Sequence, residues 1–264
     1  MYLLLVNRLA GGNRYKFIER PLKATLNRLN VKHKIVTIDD LNNIKELLKG
    51  HIKENTKGVV VVGGHGTVAS AIDALAGYNL PIGIIPTSKT NSLARNLGIR
   101  NWQDGVKLIA KHKVVDKRLG KIGQHYFMDS LTIAPRRNLL TSIFSKSNRF
   151  RKFLGANLTH HFRPSHSVAC QLHLDNELEI KCQIDKIVII LDDENKKKLT
   201  ITLHNIVDKK PVISIFRANR CEVNSSLNMP ILSGNETIAN TPTTIQAINK
   251  TIAIMQPENK PSKV

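Results

Sequence analysis

The N-terminal part of the chain alternates fully apolar runs with segments whose apolar residues recur at helical spacing. The apolar runs predict strands at Tyr2–Val6, Lys34–Thr37, Gly58–Val62 and Pro81–Ile85. The other segments predict helices at Arg14–Leu29, Leu41–Glu54, Val68–Ala76 and Trp102–Lys111. Strands that are apolar throughout and separated by helices are typical of a parallel sheet covered on both faces. We therefore expect a Rossmann-like α/β domain over residues 1–118.

Beyond Asp116 the pattern changes to short β-branched runs that are separated by polar turns. These runs are Ser167–Leu174, Ile187–Leu191, Leu199–Leu203, Val212–Phe216, Thr243–Ile248 and Thr251–Met255. Such runs favour an antiparallel β-sandwich. Residues 119–258 are therefore predicted to form a second, β-rich domain, with a short tail at 259–264.

The charge of the chain narrows the class of partner without choosing one. Lys and Arg number 40 against 20 Asp and Glu, which gives a formal net charge of +20 over 264 residues. This balance favours anionic partners, such as phosphorylated ligands, nucleic acid or an anionic membrane face. Because the basic residues are dispersed along the chain, charge alone selects none of these.

Hydropathy and cysteine content both predict a cytoplasmic protein. No window reaches the run of about 20 apolar residues that a membrane-spanning helix needs. The opening apolar run is interrupted by Asn7 and Arg8, so we interpret it as a buried strand rather than a leader. Three cysteines, at positions 170, 182 and 221, lack metal-site spacing and do not form an even disulfide set.

Three glycines stand between a predicted strand and a predicted helix, in the sequence Gly63-Gly64-His65-Gly66-Thr67. Glycine lets the backbone approach a ligand closely, and the first N–H groups of a helix bind anionic oxygens. The loop is therefore a candidate phosphate site. An ordinary tight turn is the alternative.

A second loop gives the chain a resemblance to a known family. Residues 82–99 are I-G-I-I-P-T-S-K-T-N-S-L-A-R-N-L-G-I. They resemble I-I-P-x-G-T-x-N-D-F-A-R-x-L-G-I of the diacylglycerol kinase catalytic-domain family, which includes sphingosine kinases and bacterial lipid kinases and is related to NAD kinases. The matching positions are Gly83, Pro86, Asn91, Ala94, Arg95, Leu97 and Gly98.

Other segments resemble the same family in the same order. The glycine loop is similar to the family's G-G-D-G-T, with His65 in place of the aspartate. Asn7–Gly12 resembles the opening N-P-x-S-G, with Arg8 in place of the proline. Thr37 stands where the family has a threonine at the end of its second strand, and Thr241–Pro257 resembles its closing strands.

The resemblance implies a nucleotide site in which backbone N–H groups hold the phosphates of ATP. Its candidate nucleotide-binding residues are Asn7, Thr37, Gly63, Gly64, His65, Gly66, Thr67, Lys89 and Asn91. His65 lacks a carboxylate, although a protonated imidazole could donate a hydrogen bond to phosphate. In the second loop Ser88, Lys89, Thr90 and Ser92 replace the family's G, T, G and D. Lys89 either neutralises phosphate charge or its loop fills the pocket.

The resemblance also implies a catalytic carboxylate, which the family places in a D-G-E element before its last strands. The corresponding stretch here is Leu232–Glu236, L-S-G-N-E. Counting back from Pro257 without a gap aligns Glu236 with the family's glutamate, whereas a shift of one residue leaves no carboxylate. Glu236 is therefore the catalytic candidate, and a solvated turn glutamate is the alternative. Mg²⁺ is expected with ATP, but no residue is designated as a metal ligand, and Asp73 is predicted to lie on a solvated helix face.

Three functions follow for testing. The first is an ATP-dependent lipid kinase that phosphorylates a hydroxyl of diacylglycerol or a related lipid. The second is a degenerate homologue that binds nucleotide or lipid without phosphoryl transfer. The third, a basic nucleic-acid-binding protein, rests on charge alone, because no named nucleic-acid module is present.

The basic and apolar segment Arg136–Lys152 suggests peripheral contact with an anionic membrane. The alternative for this segment is a helix whose apolar side packs on the sandwich.

Overall fold

A computed structural model describes residues 1–87, 91–128, 130–135, 167–192, 198–207, 210–234 and 236–257. They divide into two compact units. The first comprises Met1–Leu119, Tyr126–Asp129 and Asn249–Val264, and the second comprises Gly120–His125 and Ser130–Ile248. The segment Arg136–Lys152 lies outside the described residues.

The strands are β1 Tyr2–Val6, β2 His33–Thr37, β3 Gly58–Gly63, β4 Ile82–Pro86, β5 Val114–Ile122, β6 His125–Phe127, β7 Leu131–Ile133, β8 Val168–Leu174, β9 Leu178–Ile184, β10 Lys186–Leu191, β11 Leu199–Val207, β12 Lys210–Ala218, β13 Arg220–Ser225, β14 Pro230–Ser233, β15 Glu236–Asn240 and β16 Thr243–Met255. The α-helices are α1 Ala10–Asn13, α2 Tyr15–Arg28, α3 Ile44–His51, α4 His65–Leu75, α5 Ser92–Asn96 and α6 Trp102–Lys111, and a 3₁₀ turn at Leu41–Asn43 precedes α3. None of the helices among these described residues is long and apolar enough to cross a membrane.

The first unit is built on a parallel sheet in the order β2-β1-β3-β4. Its strands are buried throughout in β1, β3 and β4 because helices cover both faces. One face packs against α2 and α6, in a core that includes Leu4, Val62, Leu22 and Ile109. Since successive strand residues point to opposite faces, Leu3 and Leu5 of β1 face the other side of the sheet. The predicted Rossmann-like sheet is confirmed.

The second unit consists of antiparallel strands. One sheet joins the first part of β16 to β13, β8 and β9, and the other has the order β12-β11-β10-β7-β14-β15. The predicted α/β plus antiparallel-β fold class is therefore confirmed. The last two predicted strands differ from the structure, where they form the single strand β16. Its last residues pair in parallel with β4 at Ile254 and Ile82, so they belong to the first unit.

Candidate functional site

The glycine loop turns β3 into α4 at the carboxyl end of the parallel sheet. Gly64 is the N-cap of α4 and has an extended backbone, at φ −84° and ψ −174°. The Gly64 carbonyl accepts the first backbone hydrogen bond of the helix, from the Val68 N–H at 3.2 Å. The N–H groups in the first turn of α4 lie before this bond and therefore point out of the helix start. There the helix dipole favours negative charge. This geometry suits an anionic oxygen.

The two glycines that begin the loop differ in what a side chain would meet at each position. A Cβ at Gly63 would lie 2.7 Å from the Cβ of Thr67, so packing requires glycine there. A Cβ at Gly64 would meet only the Cβ of Ala10, at the ordinary contact distance of 3.9 Å. Neither packing nor a positive φ requires glycine at position 64. Without a side chain at this position, the backbone at the start of α4 can approach a ligand closely.

Asn7 connects the end of β1 to the same helix start. Its Oδ1 accepts hydrogen bonds from the N–H groups of Leu9, at 3.0 Å, and Ala10, at 3.1 Å. Its Nδ2 donates to the Oγ1 of Thr67 over 3.0 Å. Thr67 is buried, so this bond ties the turn after β1 to the glycine loop inside the protein. The contact between these two side chains therefore positions the glycine loop.

Two further predicted residues border this edge of the sheet. Thr37 ends β2 and pairs in register with Val6, so it lies beside the residue that precedes Asn7. His65 is the first residue of α4 and is half-buried. The sheet therefore brings Asn7, Thr37 and the glycine loop to one edge.

The second loop is tied to the first through the backbone. The Thr87 N–H donates to the Gly63 carbonyl over 3.0 Å. Asn91 caps α5, because its Oδ1 accepts from the Ala94 N–H at 3.0 Å. Lys89, together with residues 88 and 90, lies outside the described residues.

Asn91 is 1% exposed, and its Nδ2 has no hydrogen-bond partner among the described residues. The Oγ1 of Thr87 is also buried and has no hydrogen-bond partner among the described residues. Buried polar atoms are normally paired, so two orphaned ones at the carboxyl end of β4 indicate a missing partner. No signal in the sequence indicates that Thr87 would join Asn91 in this way.

Glu236 belongs to the second unit, whereas the glycine loop belongs to the first. Its backbone opens β15 and pairs with Ser233 across a turn in which Gly234 has a φ of +63°. The catalytic role of Glu236 and the nucleotide roles of the loop residues stay predictions.

Acidic residues do not gather into a metal site in the part of the chain that is described. No group of three or more His, Cys, Asp or Glu side chains there could hold a metal ion. Burial raises the pKa of Asp185, which lies between β9 and β10. Asp73 is not solvated as predicted: its side chain is 14% exposed and its Oδ1 accepts from the Tyr126 N–H at 2.8 Å.

Comparison with known proteins identifies the domain that carries these loops. The model of the diacylglycerol kinase catalytic domain matches residues 1–122. Residues 1–122 are a domain of the diacylglycerol kinase catalytic family.

Over 60 residues the chain is 38% identical to the diacylglycerol kinases of two Mycobacterium tuberculosis strains, CDC 1551 and H37Rv. This match covers 23% of the chain and 19% of the length of those relatives.

Solved structures show that the likeness of fold extends beyond the family domain. A diacylglycerol kinase from Bacillus anthracis strain Sterne superposes with a TM-score of 0.69 at 15% identity, covering 97% of both chains. A second structure from that strain gives a TM-score of 0.73 at 15% identity, covering 97% of this chain and 95% of the other. The diacylglycerol kinase domain is thus accompanied by the β-rich unit that completes this fold.

Proposed function

We propose that this protein is an ATP-dependent lipid kinase that phosphorylates a hydroxyl of diacylglycerol or a related lipid. The observation that carries the proposal is the start of α4 at Gly64, where an added Cβ would meet only the Ala10 Cβ at 3.9 Å, in a diacylglycerol kinase family domain. The printed name of the Mycobacterium tuberculosis relatives, diacylglycerol kinase, supports the choice of lipid.

The described residues fit a bound triphosphate. Backbone N–H groups at the start of α4 are assigned to the phosphate oxygens, since a helix N-terminus favours anions. The orphaned Nδ2 of Asn91 supplies a further donor from the second loop. Thr37 and His65 border the same edge, and Lys89 is assigned to phosphate charge. Asn7 and Thr67 are hydrogen-bonded to each other, so part of their role is to hold the loop in place rather than to bind the ligand.

Phosphoryl transfer needs a proton acceptor for the attacking hydroxyl. We assign that role to Glu236, by its alignment with the family's glutamate. Mg²⁺ would neutralise phosphate charge when bound. This ion is commonly bound by one or two carboxylates together with substrate phosphates and water, and no described residue is assigned as its ligand.

Contact with an anionic membrane would give the protein access to its lipid. Two of the most exposed apolar side chains, Leu9 and Phe17, are each 71% exposed and lie just after β1. Arg8, Arg14 and Lys16 are exposed beside them in sequence, and the Lys16 Nζ lies 5.0 Å from the centre of the Phe17 ring. A basic and apolar surface of this kind suits an anionic interface.

A degenerate homologue is the second candidate function, and the half-buried His65 in place of the family's aspartate favours it. Such a protein would bind nucleotide or lipid without transferring phosphate. Nucleic-acid binding is a weaker candidate, because only the net charge of +20 supports it.

A γ-phosphate transfer assay on a total lipid extract tests these proposals. The kinase proposal expects labelled lipid from the wild type and loss of product in Glu236→Gln, with nucleotide-dependent thermal stabilisation kept in both. Product only in His65→Asp would favour the degenerate homologue. No labelled lipid from any variant, with no stabilisation by nucleotide, would contradict the kinase proposal and nucleotide binding by a degenerate homologue.

Vesicle sedimentation separately tests the membrane surface. Wild type should bind vesicles that contain phosphatidylglycerol more strongly than neutral ones, and Phe17→Glu should bind less. Equal binding of the wild type to both vesicle types would contradict the electrostatic part of this proposal.

A further inference from the structure

Two of the three cysteines lie directly opposite each other on adjacent strands. Cys170 on β8 is the register partner of Cys182 on the antiparallel strand β9. Directly opposite residues share a face of the sheet, and their Cα atoms lie about 4.5 to 5.5 Å apart. That range falls within the Cα separation of about 4.4 to 6.8 Å found in disulfides. The pair therefore needs little backbone movement to be bridged.

The third cysteine provides an internal contrast. Cys221 on β13 is opposite Leu174 on one side and Ile245 on the other. Its side chain is fully buried, at 0% exposure. The arrangement of strands thus selects one cysteine pair out of three.

The selected pair is accessible from one side. β9 is the terminal strand in the order of its sheet, and Cys182 on it is half-buried, whereas Cys170 is 5% exposed. An open cavity of about 650 Å³ is lined by both cysteines and by Lys181 and Ser225. A small reagent can therefore reach the Cys182 sulfur first.

We propose that Cys170 and Cys182 are a modification site that forms a disulfide by exchange with a low-molecular-weight disulfide, such as glutathione disulfide. The Cys182 thiolate attacks one sulfur of the reagent, which forms a mixed disulfide and releases one thiol. The Cys170 thiolate then attacks the Cys182 sulfur and releases the second thiol. Two protein thiols are oxidised, one external disulfide is reduced to two thiols, and both protons leave on those thiols.

The surroundings of the pair set the pace of this exchange. Burial raises the pKa of Cys182, and burial together with the neighbouring Cys182 raises the pKa of Cys170 to about 12. Only the thiolate attacks a disulfide, so exchange is slow at neutral pH and accelerates as the pH rises. This inference is independent of the proposed kinase activity.

The test is incubation of the folded full-length protein with glutathione disulfide, followed by mass spectrometry and non-reducing peptide mapping. We expect the wild type to lose two hydrogens in mass and to give one cross-linked peptide containing Cys170 and Cys182. Cys221→Ala should behave in the same way. Cys170→Ala should instead stop at a glutathione adduct on Cys182, because no second thiol resolves it.

Two results would overturn the proposal. One is a wild type that keeps the glutathione adduct on Cys182 although Cys170 is present. The other is a wild type whose three thiols all remain available for alkylation after the treated protein is unfolded. Circular dichroism of the treated protein ensures that exchange was measured on the folded chain.

Discussion

The Asn7 side chain donates a hydrogen bond to the Thr67 hydroxyl over 3.0 Å, between positions 60 residues apart. The same amide accepts from the Leu9 and Ala10 N–H groups, so one side chain fixes the turn after β1 and the start of α4 together. Backbone amides bind anions well only where their directions are fixed beforehand. The bond therefore links the fold of the first unit to the proposed phosphate site.

A double-mutant cycle measures this link. Asn7→Ala and Thr67→Val should each destabilise the protein to urea, and the double variant should lose about 1 kcal/mol less than the sum, because either change alone already breaks the bond. Strictly additive losses would show that the hydrogen bond contributes nothing to stability.

Asn91 has two separable jobs, and substitutions can divide them. Asn91→Ser keeps an oxygen that can cap α5 but removes the amide donor, whereas Asn91→Ala removes both. The serine variant should retain about 1 kcal/mol more stability than the alanine variant. Both should bind nucleotide about tenfold more weakly than wild type, which corresponds to about 1.4 kcal/mol. Wild-type affinity in Asn91→Ser would remove the amide from the proposed site.

Close approach of α6 to β4 gives a stability prediction outside the site. A Cβ at Gly105 would lie 2.3 Å from the Ile84 carbonyl oxygen, so Gly105→Ala should cost about 3 kcal/mol or more by overpacking. Gly50, in the exposed last turn of α3, has nothing within 4 Å of its added Cβ. Gly50→Ala should therefore stabilise by about 0.5 kcal/mol. Urea unfolding of both variants checks the contrast, and equal effects would contradict the packing.

Some strands of this fold could be predicted from the sequence because their burial determines their residue pattern. Strands such as β3 are buried on both faces, so every residue is apolar and the run is conspicuous. β9 contains no continuous β-branched run, so it was missed, although Leu178, Ile180 and Cys182 alternate with polar residues as in a half-buried strand. β16 was divided in two because Asn249 and Lys250 interrupt its apolar run, although the strand continues through them.

The candidate site was predictable as a set of loops but not as a set of contacts. Its glycines were identified by their place between a predicted strand and a predicted helix, and Asn7 by resemblance, whereas the bond from Asn7 to Thr67 depends on how β1 and β3 are paired. Asp73 shows the same limit, because the Tyr126 N–H that it binds lies 53 residues away in the chain. A helical pattern reports which side of a helix is polar, and it does not report what a distant segment places there.

The buried thiol of Cys221 makes stability depend on alkaline pH. Burial, with Glu222 and Asp175 nearby, raises its pKa from 9.0 to about 12. Because the folded pKa is the higher one, its contribution is complete below pH 9 and is lost as the pH rises toward 12. Each such thiol lowers the free energy of unfolding by about 1.4 kcal/mol per pH unit in that window.

Urea unfolding between pH 8 and 10.5 measures this slope. Cys221→Ala should show a slope that is shallower by about that amount, while the slopes due to Cys170 and the buried tyrosines remain. Parallel slopes for wild type and variant would contradict the assignment.

We propose that the turn from β3 to α4 binds nucleotide phosphates through main-chain N–H groups beside Gly64. Calorimetric titration with a non-hydrolysable ATP analogue tests it, on the wild type, Gly64→Ala and the control Gly77→Ala, where an added Cβ meets nothing within 4 Å. We expect binding by wild type and control, and affinity at least about tenfold lower in Gly64→Ala at similar stability, a loss of about 1.4 kcal/mol. No heat with the wild type, or equal affinity in Gly64→Ala, would contradict it.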